Sequence, residues 1–374
     1  MTFRPFEMER WQSTWENRVR YNLSESGVHP VSVGELLSLA GASIEDVRLG
    51  YGQSNGSDEL RERIAALYPG ATADHVMVTN GSAEANFVAV WELVEPGDEV
   101  VIVLPTYMQT HGLAEAFGAR VRGVRLRPEL GWQPDPDEID AAVTDRTRLV
   151  IATNPSNPTG SILGEEARAA LVRATARTGA WLLADEVYTG AELSGTETPS
   201  LFGSHERVLA TGSLSKAYAL PGLRIGWVVA QPEVADRLWA RTDYTTISPG
   251  DLTDTLATFA LRPDVRPRLL ERTRAYIRTG LDVLESWMAE QEVFDYIRPA
   301  AGAICFTRYD VPISSAELAE RLRVEKSVLI VPGEHFGFER HIRFGIGMGE
   351  APLRAALDEV AALLNSVEAA PAAH

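Results

Sequence analysis

The middle of the chain alternates short apolar runs with segments of helical periodicity. Six runs predict strands: EVVIVL (99–104), RVRGVRL (120–126), RLVIATN (148–154), WLLADE (181–186), VLATGS (208–213) and RIGWVVA (224–230). Nearly continuous apolar runs are typical of strands that are covered on both faces. Because helical patterns such as GEEARAALVRATARTGA separate these strands, the sequence predicts a largely parallel, layered α/β sheet.

The hydrophobic pattern changes after about residue 265. RPRLLERTRAYIRTGLDVLESWMAEQ predicts one long amphipathic helix. Three predicted strands follow (AICFTRY, VLIVPG and HIRFGIG), interleaved with two predicted helices (SSAELAERLRVEK and GEAPLRAALDEVAALLNSV). We expect a second, smaller α+β unit in this part of the chain.

The composition is that of a globular protein with one or two domains. The 374 residues are 45% hydrophobic and 23% charged, which are ordinary values. A net charge of −17 argues against a nucleic-acid partner, because neutralising phosphates requires clustered Lys and Arg. We find no apolar signal core at the N-terminus and no membrane-spanning stretch, so we expect a cytoplasmic enzyme or binding protein with no membrane partner.

Cysteine and histidine offer no obvious chemistry. Cys305, the single cysteine, lies in the apolar run AICFTRY and is predicted to be a core residue rather than a nucleophile. The seven histidines show no metal-binding spacing, so we expect no metal site.

Four predicted strands end in polar, turn-forming segments, VTNGSAEANF, TNPSNPTG, DEVYTG and GSLSKAY. In layered α/β sheets, ligands bind outside the carboxyl ends of strands. Gly81 and Ser82 precede a helical pattern, whose free N–H groups would favour a phosphate. The alternative is plain helix capping by Asn80 or Ser82. No GxxxxGK[ST] motif occurs, which excludes a Walker loop.

Three polar residues in the next two segments are candidates for ligand contacts. Two X-Pro steps stiffen NPSNPTG, so Asn157 is held extended and is able to donate a hydrogen bond. Asp185 ends an apolar strand, and a buried carboxylate needs a cation or strong donors. Tyr188 is able to donate to the same ligand. The alternatives are an ordinary turn at Asn157 and a structural, turn-capping carboxylate at Asp185.

Lys216 lies among small residues in TGSLSKAYALPGLRIGW (211–227). The alternative interpretation is a solvated lysine in a glycine-rich turn. Among cationic or apolar groups, its amine would instead have a lowered pKa and act as a nucleophile. An amine, a buried carboxylate, phosphate donors and an amide donor together match the groups of pyridoxal 5′-phosphate (PLP).

The order and spacing of these motifs resemble those of fold-type I PLP enzymes of the class I/II aminotransferase family. The resemblance runs from about Tyr51 to Arg343, with 28 residues from Asn157 to Asp185 and 31 from Asp185 to Lys216. It implies a large domain with a mostly parallel, seven-stranded sheet flanked by helices, at residues 46–268. It also implies a smaller α+β domain formed by residues 1–45 and 269–374.

The resemblance also implies roles for individual residues. Lys216 would form the internal aldimine with PLP, and Asp185 would pair with the pyridinium nitrogen. Asn157 and Tyr188 would bind the 3′-oxygen, and Tyr107 would stack on the ring. Ser82, Ala83, Ser213 and Arg224 would hold the phosphate. Gly81 and Ser215 are further predicted cofactor contacts, without an assigned group.

The resemblance also implies contacts with the substrate and with a partner subunit. Arg343 would bind the substrate α-carboxylate, for which bidentate guanidinium geometry is well suited. Gly27 and His29 lie near the family's substrate loops, and Asn157 would also contact substrate. Tyr51 would reach the phosphate in a partner subunit, which implies a homodimer with shared active sites.

The N-terminal loop departs from the family pattern. Typical aminotransferases have a sequence like GEPDF where this chain has NLSESGVHP, and a related SGVH loop resembles PLP enzymes that cyclise or eliminate. The whole pattern of motifs predicts an aminotransferase acting on an L-α-amino acid and a 2-oxo acid. The alternative is elimination, replacement or cyclisation of a β- or γ-substituted amino acid. A third hypothesis is a non-catalytic ligand-binding or regulatory protein on the same fold. The acidic charge disfavours it, because regulators of this fold bind DNA.

Overall fold

The computed structural model describes residues 4–368. Its helices are α1 (Glu7–Trp15), α2 (Val33–Ala40), α3 (Asp58–Ala65), α4 (Ser82–Leu93), α5 (Gln109–Ala116), α6 (Pro136–Ala142), α7 (Glu165–Thr178), α8 (Pro232–Thr242), α9 (Asp251–Ala260), α10 (Arg266–Ala289), α11 (Ser315–Arg321) and α12 (Glu350–Glu368). Its strands are β1 (Tyr21–Asn22), β2 (Val76–Thr79), β3 (Glu99–Leu104), β4 (Arg120–Arg127), β5 (Gln133–Pro134), β6 (Thr147–Thr153), β7 (Trp181–Asp185), β8 (Val208–Ser213), β9 (Gly226–Val229), β10 (Phe294–Tyr296), β11 (Ile304–Tyr309), β12 (Val328–Leu329), β13 (Val331–Pro332) and β14 (His341–Gly345). Within this part of the chain, no helix is both long enough and apolar enough to cross a bilayer.

The main sheet is largely parallel, as the sequence predicts. Its strand order is β2-β9-β8-β7-β6-β3-β4-β5. Neighbouring strands from β8 to β4 pair in parallel, whereas β9 runs antiparallel between β2 and β8. The two-residue strand β5 pairs antiparallel with β4, so the sheet has eight strands rather than the expected seven. Strand β9 begins at Gly226, later than predicted, because Arg224 adopts a left-handed backbone with φ of 52°.

Helices cover both faces of the main sheet. Along β3, Val101 and Val103 join one apolar cluster, which also contains Leu171 of α7. The alternating residues Val100 and Ile102 join the opposite cluster, with residues of α4 and α8. Two buried faces explain why these strands appear as continuous apolar runs.

A smaller sheet of order β10-β11-β14-β13 forms from the C-terminal part of the chain. The run VLIVPG forms two short strands, because β13 pairs with β14 whereas β12 pairs in parallel with β1. This β1–β12 pair joins the segment before residue 46 to the segment after residue 268. The division into domains 46–268 and 1–45 with 269–374 stays a prediction.

The strand register brings the polar loops together. Thr153, Asp185 and Thr211 are cross-strand neighbours at the carboxyl ends of β6, β7 and β8. The segments that follow these strands carry Asn157, Tyr188 and Lys216. The sheet therefore gathers the predicted site residues at one edge.

Candidate active site

A cavity of about 320 Å³ lies at this edge of the sheet. Nine of the predicted site residues line it: Ser82, Ala83, Tyr107, Asn157, Asp185, Tyr188, Ser215, Lys216 and Arg224. The structure thus brings together most of the polar groups that the sequence pattern indicates. Within residues 4–368, no group of three or more His, Cys, Asp or Glu side chains is arranged to hold a metal ion.

Lys216 extends into the cavity and pairs with a carboxylate. Its Nζ lies 2.9 Å from Oε1 of Glu25. Burial lowers the pKa of the Lys216 amine, but the Glu25 carboxylate and Tyr188 outweigh burial, so the net shift is upward. The expected lowered pKa is therefore wrong for the PLP-free chain, because an acid rather than a cation faces the amine.

Glu25 belongs to the SESGVH loop, which closes one side of the cavity. Its Oε1 also accepts hydrogen bonds from the backbone N–H groups of Ser26 (2.9 Å) and Gly27 (2.8 Å). The Lys216 cation holds the pKa of the Glu25 carboxyl well below its usual range. Glu25 is therefore ionised at neutral pH even though about half of its side chain is exposed.

Asp185 is a buried carboxylate with room for a cation. Its Oδ2 accepts a hydrogen bond from Nδ2 of Asn86 at 2.9 Å, and Oδ1 accepts one from the Val187 backbone N–H at 3.2 Å. Burial raises the pKa of the Asp185 carboxyl. Asn86 is fixed in turn by the Thr211 hydroxyl, at 3.0 Å. Asp185 has no ion-pair partner in the described chain, and a buried carboxylate of this kind fits a pyridinium nitrogen.

The start of α4 forms the end of the cavity suited to phosphate. A Cβ at Gly226 would lie 2.4 Å from the Ser82 backbone N, and a Cβ at Gly81 would lie 2.3 Å from Nη2 of Arg224. These close approaches place Ser82, Ala83 and the Arg224 guanidinium around one helix N-terminus. Free N–H groups and a cation at that position suit an anion.

Asn157 and Arg343 interact beside the lysine. Nη1 of Arg343 donates to Oδ1 of Asn157 at 2.8 Å, which leaves the Asn157 amide NH₂ to donate into the cavity. Arg343 is fully buried, not on the surface, and burial lowers the pKa of its guanidinium. Its Nε and the hydroxyl of Tyr188 are buried without a hydrogen-bond partner in the described chain. Two orphaned donors beside Lys216 fit a ligand that brings oxygen atoms.

Six predicted site residues lie outside the cavity lining, and two of them, Gly81 and Arg343, are described above. Ser213 is buried and borders a separate cavity of about 260 Å³ that also contains Glu186. Tyr51 is 90% exposed, as expected of a residue that would reach another subunit. His29 is exposed and stacks on Tyr276 of α10, so its side chain is not brought to the cavity. Gly27 lies beside the lysine stem, since a Cβ there would be 3.7 Å from Cδ of Lys216.

Helix α1, which contributes to the cavity lining, was not predicted from the sequence. Met8, Glu9 and Gln12 from α1, and Glu16 directly after it, line the cavity together with Glu25. Burial raises the pKa of the Glu16 carboxyl, and the negative charges of Glu25 and Glu9 raise it further. The spacing of Glu9, Gln12 and Glu16 along EMERWQSTWE was the available signal, because i, i+3 and i+7 share one helix face.

A lysine, a buried carboxylate and a phosphate cradle at the carboxyl edge of a mixed α/β sheet define a PLP-dependent enzyme of fold type I. The comparisons agree. The model of the family "Aminotransferase class I and II" matches residues 30–360. The chain belongs to this family and is a PLP-dependent enzyme.

The individual relatives include aminotransferases, a synthase and a cyclase. Capreomycidine synthase of Streptomyces vinaceus is 35% identical over 369 residues, which cover 96% of this chain and 93% of that protein. A PLP-dependent aminotransferase from Streptococcus suis superposes with a TM-score of 0.92 at 31% identity, covering 98% of this chain and 99% of that one. The PLP-dependent cyclase OrfR superposes with a TM-score of 0.89 at 29% identity, covering 98% of both chains. The predicted fold and cofactor are confirmed.

Proposed function

We propose that this protein cyclises an amino acid that carries a leaving group on its β or γ carbon, using a nitrogen of the substrate's own side chain. The observation that carries the proposal is the ionised Glu25 carboxylate 2.9 Å from Nζ of Lys216. The similarity over nearly the full length to capreomycidine synthase and to a PLP-dependent cyclase supports it. Transamination between an L-α-amino acid and a 2-oxo acid is the second candidate, which the resemblance to aminotransferases favours.

The residues that would hold PLP follow from the cavity. Lys216 would carry it covalently, and Asp185 would face the ring nitrogen. Asn157 and Tyr188 would bind the ring oxygen, with Tyr107 against the ring. The residues proposed to hold the phosphate are Gly81, Ser82, Ala83, Ser215 and Arg224. Ser213 would not contact the cofactor directly. It would instead position Ser215, because its Oγ accepts a hydrogen bond from the Ser215 backbone N–H at 3.2 Å. Bound PLP supplies an electron-withdrawing group that makes the substrate Cα–H acidic.

Side chains of the protein would orient the substrate and transfer the protons. Arg343 would bind the substrate α-carboxylate through Nε, its guanidinium nitrogen without a hydrogen-bond partner in the described chain, and would so orient Cα toward Lys216. Nζ of Lys216 would take the Cα proton and return it. In the net reaction the carbon–leaving-group bond breaks, and a bond from the side-chain nitrogen to that carbon forms. Glu25 would take the proton that the nitrogen loses and pass it to the departing group, so the protons balance and no oxidant and no 2-oxo acid is consumed.

The charge of the cavity supports a substrate with a basic side chain. Glu9, Glu16 and Glu25 all line the cavity. Three carboxylates attract an amine or guanidine and repel aspartate or glutamate. A basic side chain would also supply the nitrogen that closes the ring.

The test is to supply the PLP-loaded protein with β-hydroxylated and unsubstituted amino acids bearing amine, guanidine or carboxylate side chains, without any 2-oxo acid. We expect a product that has lost one water from a basic, hydroxylated substrate, detected by mass spectrometry. We expect no pyridoxamine phosphate to accumulate in the absorption spectrum. Turnover that requires pyruvate or 2-oxoglutarate, with amino-group transfer to it, would instead establish the second candidate.

Replacing Glu25 tests its proton-accepting role. We expect Glu25→Gln to lower the cyclisation rate by about 100-fold, the usual size of general base catalysis. PLP uptake should persist, because Lys216 is retained. The matched control is Glu45→Gln, which removes the same charge from an exposed position in the same segment. Equal rates for the Glu25 variant and the control would rule out the role.

We also retain, as proposals, a homodimer with shared sites and a cytoplasmic location. The dimer is supported by a group of exposed apolar residues around Tyr51, which forms a bridge with Gly250. Leu49, two residues before Tyr51, is 86% exposed. Grouped exposed apolar residues mark interaction surfaces.

A further inference from the structure

Tyr107, the residue proposed to stack on the PLP ring, is held from the side by helix α1. Its hydroxyl donates a hydrogen bond to Oε1 of Glu9 at 2.7 Å. Burial and the Glu9 charge both raise the pKa of the Tyr107 phenol, so it stays protonated and keeps donating. The two residues are 98 positions apart in sequence, so this contact joins α1 to the loop after β3.

The residue just before α1 contacts the same side chain. The Phe6 ring meets the Tyr107 ring edge-on, with centroids 4.9 Å apart and planes at 69°. Phe6 precedes the first turn of the helix and Glu9 lies within that turn. Together they restrict both the position of the phenol oxygen and the tilt of the ring.

Helix α1 is itself anchored, independently of Tyr107. Nε1 of Trp11 donates to the Ile330 carbonyl at 2.9 Å, and Nε2 of Gln12 donates to the Ser24 carbonyl at 2.7 Å. The Arg323 guanidinium lies 3.8 Å from the ring centroid of Trp15. Glu9 therefore acts on Tyr107 from a fixed helix.

We infer that Glu9 is a positioning residue that fixes the plane of the Tyr107 ring against the bound PLP ring. This inference rests on the cofactor placement proposed above, but not on which reaction follows. Its consequence is that Glu9 slows PLP release and orders the cofactor without touching it. The hydrogen bond from Tyr107 to Glu9 links the loop after β3 to helix α1, and both segments line the cavity.

The experiment is a double-mutant cycle on the PLP-loaded protein, with Glu9→Ala, Tyr107→Phe and both together. The readouts are the rate of PLP loss on dilution and the amplitude of the visible circular dichroism band of the bound cofactor. We expect each single variant to lose PLP about 5-fold faster, as for one hydrogen bond, with a smaller dichroic band. The double variant should be no worse than either, since both changes remove the same interaction.

Two controls keep the result specific. Glu7→Ala removes the other acidic residue of the first turn of α1, so it carries a similar helix-dipole penalty and should leave both readouts unchanged. Glu9→Gln should retain most of the effect, because its amide oxygen still accepts from Tyr107. Additive losses in the double variant, or equal losses in the Glu7 and Glu9 variants, would overturn the inference. A wild-type protein that takes up no PLP would overturn the cofactor placement as well.

Discussion

Lys216→Ala protein is expected to bind no PLP covalently and to lose at least about 1,000-fold of its turnover. Two functions disappear together, the covalent attachment of the cofactor and the base that moves the Cα proton, and each is worth orders of magnitude. The measurement is borohydride reduction followed by peptide mass spectrometry. The chain has two lysines, Lys216 and Lys326, so the position of a pyridoxyl group is unambiguous.

The matched control is Lys326→Ala. Lys326 lies far along the chain and pairs with Glu359 at 3.3 Å, away from the cavity. This variant should keep the adduct on Lys216 and near-normal turnover. An adduct on Lys326, or full activity in the Lys216 variant, would contradict the proposed site.

Asp185→Asn is expected to lower turnover by at least about 100-fold. Removing one partner of a buried charge pair costs about 3–5 kcal/mol, and about 1.4 kcal/mol corresponds to a factor of ten in rate. The amide keeps the shape of Asp185 but cannot stabilise a protonated ring nitrogen. We expect weaker PLP binding and a shifted absorption band at neutral pH.

The melting temperature of the PLP-free protein distinguishes this loss of turnover from misfolding of the Asp185→Asn variant. Burial raises the pKa of Asp185 above its value in an unfolded chain, so the ionised carboxylate destabilises the PLP-free fold once the pH exceeds that unfolded value. The PLP-free Asp185→Asn protein should therefore melt at a higher temperature than the PLP-free wild type at neutral pH. Glu186→Gln is the matched control, because Glu186 faces the other cavity, where burial raises its pKa to about 7. A normal rate in the Asp185 variant, or a similar loss in the control, would argue against the proposed role.

Local sequence patterns were sufficient to predict the sheet and the loops that end its strands. The parallel strands have two buried faces, so their apolar runs were evident without any tertiary information. A predicted strand boundary was wrong where one residue took an unusual backbone conformation, as Arg224 does before β9. VLIVPG was also misjudged, because adjacent residues of one apolar run pair with two different sheets.

The candidate site could be predicted only where residues are close in sequence to a strand end. Asn157, Asp185 and Lys216 satisfy that condition. Glu9 and Glu16 do not, because they reach the cavity from a helix whose position depends on contacts with residues more than 300 positions later. The direction of the Lys216 pKa shift was wrong for the same reason, since its neighbour Glu25 lies 191 positions earlier.

The contacts that anchor helix α1 to residues near the end of the chain have a consequence for synthesis on the ribosome. The first helix emerges long before Ile330 and Arg323, which anchor it, so it must stay undocked while the main sheet assembles. Closing a loop of that length is a late step of folding, because its entropy cost must be met by contacts made elsewhere first. Glu9 and Glu16, which line the cavity, are therefore the first acidic residues of the site to be translated and the last to reach their positions.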